Sequence, residues 1–88
     1  MQTEFLDKFN RDLDKINLRS IKTSVEKIIL KVESAETLSQ IPNVKKLSGY
    51  KLAYRIRLGD YRIGVFVEEN VVIFASIVHR KEIYNVFP

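Results

Sequence analysis

The stretch Tyr54-Arg-Ile-Arg-Leu-Gly-Asp-Tyr-Arg-Ile-Gly64 places three arginines within eleven residues. A guanidinium stays charged at any physiological pH, and its planar fork of donors matches a phosphate or a carboxylate. Apolar and charged residues alternate here, interrupted by Gly59-Asp60, which predicts two antiparallel strands joined by a two-residue turn. In that register Leu58 faces Tyr61, Arg57 faces Arg62, Ile56 faces Ile63 and Arg55 faces Gly64. One face is then apolar, and the other carries Arg55, Arg57 and Arg62. Like charges set directly opposite cost roughly 0.2–1 kcal/mol per pair. Stability alone does not call for such an arrangement, so it points to an anion outside the fold.

A second concentration of ionisable and aromatic groups follows the most apolar run of the chain. After Val71–Val78 come His79, Arg80, Lys81 and Tyr84, at the point where side chains can lean over the edge of a sheet. Each has an ordinary role open to it as a solvated surface group, and Tyr84 could be an aromatic lid with its hydroxyl in water. Other chemistries lack their residues. The single histidine excludes the two-histidine acid/base pair of many ribonucleases. There is no Gly-rich phosphate loop and no serine nucleophile motif. No His, Cys and carboxylate cluster has metal-ligand spacing, so neither a metal nor a cofactor is expected. What remains is a cationic surface bordered by aromatic rings, suited to phosphate stabilisation and base stacking.

Charge supports that location. Residues 1–44 hold seven Lys or Arg and seven Asp or Glu, whereas residues 45–88 hold eight against four. The whole surplus of the +4 chain lies in its second half, as expected for a face that meets nucleic acid or an acidic protein. With 45% hydrophobic and 30% charged residues the chain reads as one folded domain over residues 1–88. The lack of cysteine fits a reducing compartment. The opening residues have no signal-peptide core, and no run approaches the roughly 18 apolar residues that span a bilayer. A soluble cytoplasmic protein without membrane contact is expected.

The elements that must position these residues can be read from periodicity. Leu6, Phe9, Leu13 and Ile16 form one helical stripe, and Met1–Phe5, too short for a period to show, is compatible with an edge strand. Ile21, Val25, Ile28, Ile29, Val32 and Ala35 form a second stripe over about Leu18–Glu36, with Asn17 as candidate N-cap. The short link between them predicts an antiparallel helix pair. Thr37–Tyr50 loses periodicity and reads as a connection with one helical turn. Strands follow at about Lys51–Leu58, Tyr61–Val67 and Val71–Val78, the last apolar on both faces and therefore central or doubly covered. The predicted class is α+β: two N-terminal antiparallel helices on a mostly antiparallel four-stranded sheet, with a short C-terminal segment.

The second half, "KKLSGYKLAYRIRLGDYRIGVFVEENVVIFASIVHRKEIYNVFP", resembles the RelE branch of the RelE/ParE toxin superfamily. Its Gly-Tyr, Tyr-Arg-Ile-Arg strand, Gly-Asp-Tyr-Arg turn and terminal His-Arg-Lys-x-x-Tyr carry the resemblance, and "EFLDKFNRDLDKI" fits the family's opening more loosely. The resemblance implies a cytoplasmic toxin of a type II toxin–antitoxin pair, held by a RelB-like antitoxin, that cleaves messenger RNA in the ribosomal A site. It implies attack of a ribose 2′-hydroxyl on the adjacent phosphate, giving a cyclic phosphate. The family's functional positions fall on Arg55 and Arg57 before the turn, Arg62 just after it, and Arg80 and Tyr84 in the terminal segment. The best-known ribosome-dependent members of the family carry lysines at the two strand positions, one of them a proposed general base. A guanidinium is a poor base, so the base stays open here. His79 qualifies because imidazole titrates near neutral pH; Tyr84 could stack on a base or help with proton transfer, and Lys51, a weaker candidate, and Lys81 stand with His79 as base or RNA contact. Two alternatives also remain: a ParE-type toxin that inhibits DNA gyrase by protein binding, and a non-catalytic basic binding module.

Overall fold

The computed structural model describes residues 1–88. Strand β1 (Gln2–Phe5) leads into helix α1 (Asp7–Asp14) and then α2 (Arg19–Ser34). A 3-10 turn at Leu38–Gln40 precedes β2 (Val44–Lys46), β3 (Ala53–Leu58), β4 (Tyr61–Glu68) and β5 (Val71–His79), and a last short helix, α3, covers Ile83–Val86. The sheet runs in the order β1-β5-β4-β3-β2. Neighbouring strands pair antiparallel except β1, which lies parallel to β5.

The sheet therefore has five strands and is mixed, a correction to the four-stranded expectation. The added strand is β2. Its three residues are too few for an alternation to show, and its pairing with Tyr54–Ile56 of β3 defines it instead. Asn17 is likewise not the cap of α2. Leu18 holds that position in extended conformation with no side-chain cap, and its carbonyl accepts from the Ile21 and Lys22 N–H groups. The helices are held chiefly by the sheet and not by each other: α1 packs on β5, and α2 on β1 and β3.

Both helical stripes face one side of the sheet. Phe9, Val25, Ile28 and Val32 meet Ile56, Ile63, Val65, Val72, Phe74 and Ile77 in a continuous apolar layer. Phe9 and Phe74 meet edge to face at 5.4 Å between ring centroids, and Phe5 stacks on Phe74 at 5.2 Å. Beyond the end of β1 the outer edge of β5 loses its strand partner. Asp12 of α1 takes over, its carboxylate accepting from the Ile77 N–H at 3.2 Å and from Lys8 Nζ at 2.7 Å. A smaller cluster lies on the opposite face, where Ile83 and Phe87 pack on Leu47, Ala53 and Ala75.

One irregularity decides where the end of β5 points. Gly64 pairs with Ser76 but Val65 pairs with Phe74, so Ala75 is an extra residue on β5. A bulge of this kind inverts the alternation beyond it. Val72 and Phe74 lie on the helix face before the bulge; after it, Ile77 lies there, and so does His79.

Candidate functional site

The β3–β4 hairpin has the register that the sequence predicts, with Arg57 opposite Arg62 and Arg55 opposite Gly64. Gly59 opens its turn at φ 59°, the positive value that a two-residue hairpin turn demands at its first central position. Alternation then directs Arg55, Arg57 and Arg62 to the face away from the helices. Strand β2 adds a fourth cation: Lys45 pairs with Arg55 and so shares its face. The Arg57 N–H donates to the Asn43 carbonyl at 3.0 Å, which fixes the entry to β2. Asn43 itself adopts φ 63°, a conformation that asparagine tolerates better than most residues.

Together these groups line a cleft of about 400 Å³, bounded by Asn43, Lys45, Arg55, Arg57, Arg62 and Tyr84. Its four cations face one another with no carboxylate among them, and the chain's one ion pair, Lys8–Asp12, lies on the helix side. The cations hold their places by other means. The Arg55 guanidinium lies 4.4 Å from the centroid of the Tyr84 ring, a cation–π contact. Its buried Nε has no hydrogen-bond partner in the protein. Arg62 turns back on the hairpin, its Nη1 donating to the Gly59 carbonyl at 2.8 Å and the Tyr61 carbonyl at 2.9 Å. Those bonds offset the repulsion from Arg57 that the facing register imposes.

Tyr84 reaches the cleft because α3 is clamped to the sheet. Ile83 and Phe87 are buried on either side of it, while Tyr84 itself is 73% exposed. The Phe87 ring sits directly over Gly64, where a Cβ would overlap it, and beside Phe66 at 5.0 Å between centroids. Gly64 is thus needed for the close approach of a ring.

The structure brings Arg55, Arg57, Arg62 and Tyr84 together and leaves the other sequence candidates outside. Arg80 lies in the turn after β5, its N–H donating to the Asp60 carbonyl at 2.7 Å; it sits beside the hairpin turn without lining the cleft. Lys81 is exposed in the same turn, its N–H donating to His79 Nδ1 at 3.2 Å. His79 pairs with Tyr61, ring to ring at 5.9 Å, on the helix face of the sheet. The Ala75 bulge puts it there, so as a base candidate it lies on the wrong side of the sheet from the arginines. Lys51 precedes β3 in a bend, where strand parity no longer governs its direction, and it does not line the cleft. Lys45 and Asn43 are the residues the sequence reading missed. Their signal was the charged Lys45-Lys46 pair two residues ahead of Ser48-Gly49, in a segment too short to show a strand period.

The mixed five-stranded sheet, its helices and the short closing helix define the RelE-like class of α+β fold. A toxin chain of the RelB-RelE antitoxin–toxin complex from Methanococcus jannaschii superposes with a TM-score of 0.83, at 35% identity over 97% of this chain and 99% of that one. A chain of the RelBE2 toxin–antitoxin complex from Mycobacterium tuberculosis shares the fold at TM-score 0.72 and 23% identity, over 90% of this chain and 96% of that one. In sequence, the chain is 36% identical to Toxin RelE3 of Methanocaldococcus jannaschii over the full length of both. Residues 3–84 match the model of the ParE toxin of type II toxin–antitoxin systems. The chain belongs to this toxin family.

Proposed function

We propose that this toxin is an endoribonuclease that cuts messenger RNA in the ribosomal A site and so stops translation. The observation that carries the reading is the cleft itself: Lys45, Arg55, Arg57 and Arg62 converge without a neutralising carboxylate, under the exposed Tyr84 ring. Cations held in advance around a phosphate stabilise the charge that grows on it during displacement, an effect often worth several kcal/mol. In this reading the ribose 2′-oxygen attacks the adjacent phosphorus. The new O2′–P bond replaces the P–O5′ bond, leaving a 2′,3′-cyclic phosphate and a free 5′-hydroxyl. The 2′-hydroxyl gives its proton to a base, and the departing 5′-oxygen receives one.

Among the lining groups, Lys45 and Tyr84 are the ones chemically able to exchange that proton, since guanidinium does so poorly. Arg55, Arg57 and Arg62 hold the phosphate, and Tyr84 stacks on a base or assists proton transfer. Arg80 approaches the same phosphate from the hairpin turn when the message is bound, and Lys81 contacts the RNA backbone. No metal or cofactor takes part, because the arginines supply the positive charge that a metal would otherwise bring. Few proton-transfer groups line the cleft, so the ribosome contributes by aligning the reacting atoms, which is worth up to roughly 7–11 kcal/mol in favourable cases. The cognate partner is a RelB-like antitoxin that covers the cationic face in the cytoplasm. The complex with the 35% identical toxin supports that pairing; no helix here is long and apolar enough to cross a membrane.

The match of residues 3–84 to the ParE toxin family keeps the ParE-type alternative of the sequence resemblance as a second reading, inhibition of DNA gyrase by protein binding. Translation and gyrase supercoiling assays run side by side on the purified protein decide between them. Cleavage of A-site message that is lost in Arg55→Ala supports the nuclease. Inhibited supercoiling with intact message overturns it.

A further inference from the structure

The link between β2 and β3 opens a second cleft, also of about 400 Å³, against the first. The two share a wall, since Lys45, Arg55 and Tyr84 line both. Past that wall the character of the surface changes. Tyr50 stands there 52% exposed, beside Phe87, Pro88 and Lys46, and no Asp or Glu side chain lines the space. A defined turn holds Tyr50. Gly49 adopts φ 85°, the Tyr50 N–H donates to the Leu47 carbonyl at 3.4 Å, and Lys46 Nζ donates to the Tyr50 carbonyl. That ammonium also lies 6.0 Å from the centroid of the Tyr54 ring. With Lys46 engaged in this way and Phe87 buried, Tyr50 presents the exposed ring at the far end of the cleft.

A ligand that fills both clefts must place an anion at the shared cationic wall and a flat apolar group beyond it. A nucleotide in a single strand has that form, with a phosphate at one end and a base at the other. We propose that the second cleft is a nucleotide subsite: with the scissile phosphate among the arginines, one flanking nucleotide of the message enters it and its base stacks on Tyr50. The proposal rests on the reading of this toxin as an RNA-cutting protein and adds a residue that holds a nucleotide flanking the cut. Tyr50 is a substrate-binding residue on this account, outside the groups that stabilise the reacting phosphate.

The test is equilibrium binding of a fluorescein-labelled trinucleotide made uncleavable by 2′-O-methyl groups, followed by anisotropy. Versions lacking the first or the third base are compared on the parent, Tyr50→Ala and Tyr50→Phe. Removing one of the two flanking bases is expected to weaken binding to the parent at least about fivefold, the low end for base stacking on an aromatic side chain. Tyr50→Ala should weaken the intact trinucleotide by the same factor and leave that abasic version unchanged, while Tyr50→Phe behaves as the parent. The subsite is overturned if Tyr50→Ala affects intact and abasic versions equally, if it affects neither, or if the parent does not bind the intact trinucleotide. Because no cleavage is involved, failure of ribosomal cutting with this coupling intact would retract the proposed activity and leave the nucleotide subsite standing.

Discussion

On one face of the sheet, Phe5, Phe9 and Phe74 pack ring against ring beneath two helices. On the other, Lys45, Arg55, Arg57 and Arg62 crowd one open cleft under a four-residue helix. The same strands build both faces, because residues one apart in a strand point in opposite directions. Ile56 and Ile63 form a facing apolar pair, and their neighbours Arg57 and Arg62 form a facing cationic pair. The difference teaches how a small chain divides its labour: the helix face supplies the burial that holds the sheet, and that surplus lets the other face keep groups that repel one another. Substitutions on the two faces should therefore separate stability from activity.

The sharpest break is expected from Phe74→Ala. The residue is fully buried in the aromatic cluster, and removing such a ring costs about 3–5 kcal/mol. Urea denaturation should show the midpoint falling steeply, enough to unfold much of a domain this small. Arg55→Ala should do the reverse. Cleavage of A-site message in single-turnover assays should fall about 10²–10³-fold, the usual consequence of removing one preorganised donor. Stability should drop by no more than the cation–π contact with Tyr84, roughly 0.5–2 kcal/mol. Equal losses in both measurements would mean that Arg55 is a structural residue.

Gly64→Ala sharpens the comparison by striking the hinge between the two tasks. The new methyl group collides with the Phe87 ring, and overpacking of this kind costs about 1–3 kcal/mol. Because Phe87 anchors the helix that carries Tyr84, cleavage should fall together with stability, and Gly64→Ala combined with Phe87→Leu should recover part of both. The smallest change in stability is expected for Arg62→Ala. It loses two hydrogen bonds to turn carbonyls but also a like-charged neighbour, so the net effect should stay within about 1 kcal/mol. A large loss in a thermal melt would show that the turn depends on Arg62 more than the facing repulsion opposes it.

The legible parts of this molecule were those with a period. Two helical stripes and two hairpins follow from spacing alone, and the facing of Arg57 on Arg62 follows from a two-residue turn. Short or interrupted segments hid their geometry. Strand β2 has three residues, so no alternation could reveal it or show that Lys45 joins the arginines. The bulge at Ala75 leaves no mark in an apolar run, yet it alone sends His79 to the helix face. Lys51 illustrates the converse: the strand expected to begin there begins at Ala53, so strand alternation does not set the direction of its side chain. The parallel partnership of β1 with β5 was equally hidden, because a short edge strand carries no record of which neighbour it joins.

That partnership sets an order of assembly. The β3–β4 and β4–β5 pairings close over turns of two residues, whereas Gln2 must find Val71 across most of the chain. Loop closure over so many residues carries an entropic cost that local hairpins avoid. The arginine-bearing hairpin should therefore form early in folding and the strand that completes the core late. Substitutions at Ile56 or Ile63 should slow refolding, while those at Phe5 should mainly hasten unfolding. A chain interrupted between these steps carries its cations on a sheet not yet closed, and an acidic partner arriving then would meet the charge before the finished fold.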